Sequence, residues 1–89
     1  MKKVFTYPIV AREVEKDWII YIPDFEMFGG VTQAKRTRDI RKMAADYIEV
    51  AIKELHESCE SIPKASKIKD VKRDDSTDYR MYVSVEVDL

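Results

Sequence analysis

Carboxylates are the first candidates for chemistry in this chain. Asp24 and Glu26 stand close together in "PDFE", and Asp74, Asp75 and Asp78 crowd "DDSTD". Paired carboxylates can hold a cation or divide the work of acid and base. Either task needs a further ligand at a defined spacing. Neither group has one, so acidic solvated loops are the expectation. His56 is the single histidine, with Ser58 and Cys59 just after it. A nucleophile, a base and an acid work through contact in space, which adjacency along the chain does not supply. A positive imidazole near a helix end would instead suit the helix dipole. No catalytic residue, metal ligand or cofactor is expected.

Two other groups could bind rather than react. Lys35, Arg36, Arg38, Arg41 and Lys42 crowd one stretch of sequence. Arginines beside the free N–H groups of a helix start make an anion site. Lys35, Arg36, Arg38 and Arg41 are therefore candidates for contact with phosphate or an acidic partner. A second basic run, Lys64, Lys67, Lys69, Lys72 and Arg73, is diluted by Asp70, Asp74 and Asp75. Neither run is interleaved with aromatic residues, as single-stranded nucleic acid would favour. The loop "FEMFGG" sets Phe25, Met27 and Phe28 between polar flanks. Such residues either cap the core or stand out as docking anchors. Asp24, Phe25, Glu26 and Phe28 are the candidate contact group.

The elements that position these groups follow from hydropathy. Residues 2 to 13 alternate, with Phe5, Tyr7 and Ile9 on one face and Val4, Thr6 and Val10 on the other. Pro8 cannot donate to a ladder, so it must sit at an edge or where its missing N–H faces solvent. "EVEKD" is a polar turn into a second strand, "WIIYI", and the pair reads as a hairpin. Pro23 and Asp24 stop that strand, "FEMFGG" is an irregular loop, and "VTQ" is a short third strand. A helix follows from near Arg38, with Thr37 as N-cap, to between Glu57 and Cys59. Ile40, Met43, Ala44, Tyr47, Ile48, Ala51, Ile52 and Leu55 form its apolar stripe. Pro63 ends any continuation, and residues 64 to 80 read as a mobile charged connection. "MYVSVEVDL" closes the chain as a half-buried strand, with Met81, Val83, Val85, Val87 and Leu89 inward. The order is β-β-β-α-β, an α+β domain in which the helix covers one face of an antiparallel-rich sheet.

The 89 residues make one domain, 1–89, with a formal net charge of −1, 45% hydrophobic and 37% charged residues. That composition excludes a disordered chain. No apolar run is long enough to span a membrane, and "MKKVFTYPIVAREVEKDW" has no signal-peptide core. Cys59 is the only cysteine, which excludes an internal disulfide and fits a reducing cytoplasm.

Six segments in order resemble the HicB antitoxin family: Tyr7–Pro8, "WIIYIPDF" from Trp18 to Phe25, "GGVTQ" from Gly29 to Gln33, "MAADYIEVAI" from Met43 to Ile52, "SIPKAS" from Ser61 to Ser66, and the closing "VSVEVDL". The chain departs from the family pattern at Gly30, often Cys or Ala, and at Ala34, where a Gly follows Thr-Gln. It departs again at Ala65, which stands for the second proline of Pro-x-Pro-Ser, and at the basic helix start "KRTRDIR". The loop after Asp24 is also about two residues longer. Longer members continue into a ribbon-helix-helix or helix-turn-helix segment that binds operator DNA; the residues here match the short form.

The resemblance implies a partial ribonuclease H-like fold without catalytic acids. It implies neutralisation of a small basic HicA-type mRNA-cleaving toxin by covering its active site, and homo-oligomers built through the sheets. A four-strand sheet has two free edges, which makes a homodimer the simplest expectation. Strong DNA binding by this chain alone is not expected. The competing reading is a nucleic-acid-binding regulator that uses the 35–42 cluster, or an orphan HicB-like oligomer without a toxin.

Overall fold

The alternating N-terminal residues form the longest strand, β1, from Lys2 to Val14. A two-residue turn, in which Glu15 takes a positive φ of 59°, leads into β2, Asp17–Tyr21. β3 (Val31–Ala34), helix α1 (Ile40–Glu57) and β4 (Tyr79–Asp88) complete the chain. The structure is a computed structural model and describes residues 1–71 and 78–89. Lys72, Arg73, Asp74 and Asp75 of the charge clusters lie outside the described residues.

The four strands form one sheet in the order β3-β2-β1-β4, with every neighbouring pair antiparallel. The expected β-β-β-α-β order and α+β class hold. Register assigns the faces, because directly opposed residues share a side. Tyr7 lies opposite Val83, Phe5 opposite Val85, and Ala11 opposite both Ile20 and Tyr79. This is the helix side of the sheet. Tyr7, Ile9, Ile20, Ile22 and Val87 pack there against Ile40, Ala44, Ile48, Ala51, Ile52 and Leu55 of α1 in one core. Each isoleucine so buried contributes about 1.5–3 kcal/mol relative to exposure.

Pro8 satisfies its constraint inside a central strand. β4 pairs with β1 along Lys2–Ala11, whereas β2 reaches β1 only from Val10 onward. Pro8 thus has a strand neighbour on one side, and its missing N–H removes no bond on the other.

Three local expectations are corrected. Residues 37–39 form a 3-10 turn, so α1 starts at Ile40, and Asp39 rather than Thr37 is its N-cap, without a side-chain bond. "PDFEMF" is not irregular but a 3-10 segment, Pro23–Phe28, kinked at Phe25. The largest correction concerns the stretch after the helix. Its charge and breakers suggested mobility, yet residues 61–71 form a docked strap. Ile62 packs on the core. The Tyr7 hydroxyl donates to the Pro63 carbonyl at 2.7 Å. Ser66 donates its N–H and hydroxyl to Asp24 at 3.1 and 2.6 Å. The Ile68 N–H donates to the Tyr82 hydroxyl at 2.9 Å, and Arg80 donates to the carbonyls of Ile68 and Val71. Val71 is buried, and it lines one hollow with Val10 and Tyr21 on the second face of the sheet. The lysines of the strap are exposed while its backbone is held.

Candidate interaction surface

The loop before β3 is shaped by two glycines and one helix tyrosine. Gly30 has φ +62°, and a Cβ there would lie 2.7 Å from the Ile22 carbonyl oxygen. Only glycine fits that close approach in a left-handed conformation. The Ile22 N–H donates to the Gly30 carbonyl at 2.7 Å. Tyr47 reaches up from α1: its hydroxyl accepts from the Gly30 N–H at 3.0 Å and donates to the Phe28 carbonyl at 2.9 Å. The loop is thereby tied to the helix.

This geometry sorts the candidate contact group. Phe25 is fully buried and meets Tyr7 edge-on, with ring centroids 4.8 Å apart. It is a core residue, and its candidacy as a surface anchor is withdrawn. Asp24 uses both carboxylate oxygens to hold Ser66, so its role is internal. Burial, and secondarily the nearby Asp24 carboxylate, push the Tyr7 hydroxyl up to about 12. Glu26 remains exposed beside Met27 and Phe28.

Met27 is 61% exposed and Phe28 36%, which makes them the apolar groups that the loop offers outward. Phe28 separates two hollows. One, of about 470 Å³, is lined by Phe28, Met43, Tyr47, Val50 and, at its polar rim, Asp46 and Glu54. The other, of about 640 Å³, includes Met27, Leu55 and Glu60. Among the described residues no lysine or arginine lines either hollow. Val50 is 65% exposed and was missed by the sequence reading, which assigned apolar helix positions to the core. Its signal was available: an aliphatic side chain outside the 3.6-residue stripe is an apolar group on the wet face.

The basic cluster occupies a different place. Lys35, Arg36, Arg38, Arg41 and Lys42 are all exposed. Arg41 donates to the Tyr82 carbonyl on β4 at 2.7 Å. Lys42 pairs with Asp46 at 3.4 Å. Lys35, Arg36 and Arg38 have no partner among the described residues. Lys35, Arg36 and Lys42 line a third hollow of about 590 Å³ together with Asp17 and Asp39.

Those residues considered for catalysis that the structure describes do not converge. Asp78 is buried and binds Arg12 through two hydrogen bonds of 3.0 and 2.8 Å. His56 and Cys59 are exposed at the end of α1. Cys59 has φ +56°, and the bonds from Cys59 to His56 and from Glu60 to Leu55 close the helix in the pattern usually given to glycine. Among the described residues no three His, Cys, Asp or Glu side chains gather as a metal site. Among them, too, no helix is long and apolar enough to cross a membrane.

No family model matches the sequence, and no curated protein matches it. Solved structures match the fold. A chain of a toxin-antitoxin complex from Streptococcus pneumoniae superposes with a TM-score of 0.80 at 20% identity, over 93% of this chain and 69% of that one. A chain of the HicA3 and HicB3 toxin-antitoxin complex superposes with a TM-score of 0.70 at 23% identity, over 96% of this chain and 100% of that one. At these identities the likeness is one of fold: this chain shares its four-stranded antiparallel sheet and single helix with chains found in toxin-antitoxin complexes.

Proposed function

We propose that this protein is the antitoxin of a type II toxin-antitoxin system, and that it neutralises a HicA-type mRNA-cleaving toxin by covering its active site. The fold shared with chains of two toxin-antitoxin complexes supports a role in such a system. The choice of antitoxin over toxin is supported by charge and chemistry. The HicA-type toxin is expected to be small and basic, whereas this chain carries −1 overall. Its candidate acids Asp24 and Asp78 are engaged internally, so a non-enzymatic role is part of the proposal.

The observation that carries the reading is the apolar surface around Phe28 and Val50, rimmed by Glu54 and Glu60. An apolar centre with a charged rim of one sign is the pattern of a protein interface and selects a partner of the opposite sign. A small basic ribonuclease fits it. The partial ribonuclease H-like classification, the short family form, a cytoplasmic location and a homodimer belong to the same proposal. The homodimer is supported by β4, a ten-residue strand at the sheet edge, which offers unpaired backbone groups for self-pairing.

RNA cleavage by a purified HicA-type toxin tests the proposal. Stoichiometric addition of this protein is expected to stop cleavage. Cleavage that continues in excess of it overturns the antitoxin reading.

A further inference from the structure

We infer that the exposed basic end formed by Lys35, Arg36, Arg38 and Arg41 is a second binding site, one that takes the phosphodiester backbone of duplex nucleic acid without reading its sequence. The placement of charge is the starting observation. Five cations stand between positions 35 and 42 of a chain whose net charge is −1. Some cations elsewhere are matched, as Lys53 is with Glu49, Lys2 with Glu86, and Arg12 with Asp78. Lys64, Lys67 and Lys69 of the strap, unpaired among the described residues, are spaced more widely than the five of this stretch. At this end, among the described residues, Lys42 alone has a carboxylate partner, Asp46. Lys35 and Arg36 line the adjoining hollow with Asp17 and Asp39, and Arg38 and Arg41 are exposed next to them in sequence.

Helix stability does not explain this arrangement. The first turn of α1 contains no acidic residue, and cations at a helix N-terminus, here Arg41 and Lys42, oppose its dipole. Nor is the cluster a capping device, because neither Thr37 nor Asp39 makes a side-chain cap bond. Arg41 is oriented by its bond to the Tyr82 carbonyl, which leaves most of its guanidinium donors available. The local charge is therefore maintained against a local cost and points outward.

The chemistry of the surface selects the ligand. Among the described residues no aromatic side chain lines the hollow beside the cluster, so the hollow offers no platform for stacking unpaired bases. What remains is attraction to phosphate, which is strongest where phosphates are densest. Duplex nucleic acid carries about one charge per 1.7 Å of axis. The site adjoins the acidic, apolar surface at Met43 and the Lys42–Asp46 pair. Its own cations Lys35, Arg36, Arg38 and Arg41 line neither hollow of that surface, so it does not depend on the antitoxin reading.

Fluorescence anisotropy of a labelled DNA duplex of about 20 base pairs, and of its single strand, tests the inference over about 50–200 mM salt. Four phosphate contacts predict a log–log salt slope near −3.6 for the duplex, and weaker binding of the single strand. Arg36→Gln with Arg38→Gln should lower the slope by about 1.8 and the affinity at 50 mM salt by about tenfold or more. These two are chosen because they hold no other part of the molecule, unlike Arg41. Lys35→Gln alone should lower the slope by about 0.9, which gives a second measure if the double variant melts early. Lys64→Gln with Lys67→Gln, on the strap, should leave both values in place. Absence of saturable duplex binding at 50 mM salt, tighter binding of the single strand, or an equal loss in the strap variant overturns the site.

Discussion

Two residues illustrate how single side chains fix this molecule. Gly30 sits where a Cβ would be 2.7 Å from the Ile22 carbonyl oxygen, at φ +62°. Gly30→Ala is expected to cost about 2 kcal/mol or more, from the left-handed backbone and the clash together. A denaturation midpoint equal to wild type would contradict that geometry. Tyr7 gives a pH signature. Its hydroxyl is pushed up to about 12 by burial and then by Asp24, from an ordinary value of about 10. The folded state keeps this proton longer than the unfolded state does. The contribution is therefore complete below about pH 10 and is lost as pH rises through about 12. Stability measured across that window should fall faster in wild type than in Tyr7→Phe, while lysine titration cancels between the two. A constant gap would show that the hydroxyl is not held as described.

Elements divide into those written in periodicity and those written in isolated contacts. The stripe from Ile40 to Leu55 and the alternation of β1 and β4 were legible because burial on one face repeats along an element. Ile48 is fully buried, and Ile48→Ala should cost about 2–5 kcal/mol in chemical denaturation. Glu49→Ala, on the outer face with only an exposed pair to Lys53, should change stability by less than about 0.5 kcal/mol. The strap was not legible, because its docking rests on the Pro63 carbonyl, Ser66, Ile68 and Val71, which share no period. Its lysines signalled exposure, which holds, and not mobility, which does not. Phe25 and Phe28 posed the same difficulty within one loop: a kinked 3-10 segment sends one inward and leaves the other half out. Asp24→Ala removes both acceptors of Ser66. Amide hydrogen exchange in residues 66–71 should accelerate while exchange in β1 and α1 stays slow. Unchanged protection of the strap would mean that Asp24 does not hold it.

At the scale of the whole molecule, charge and apolar exposure are segregated. One surface carries Phe28, Met27 and Val50 with Glu54 and Glu60 around them, and another carries the cations that start α1. The first suits a basic protein, and the second suits a polyanion. The fold was legible in the sequence, and the shared architecture with chains of toxin-antitoxin complexes agrees with the family resemblance. The contact surface was legible only in part, because Val50 and Phe28 become neighbours through the Tyr47 anchor, a tertiary contact. The central claim is that this surface holds the toxin. Isothermal titration of a small basic HicA-type toxin into wild type and Phe28→Ala tests it most directly. Truncating a half-exposed aromatic anchor should remove about 2 kcal/mol of binding energy, a loss of about thirtyfold in affinity, with the melting curve preserved. Equal affinity of the two proteins, with equal melting curves, would contradict the account.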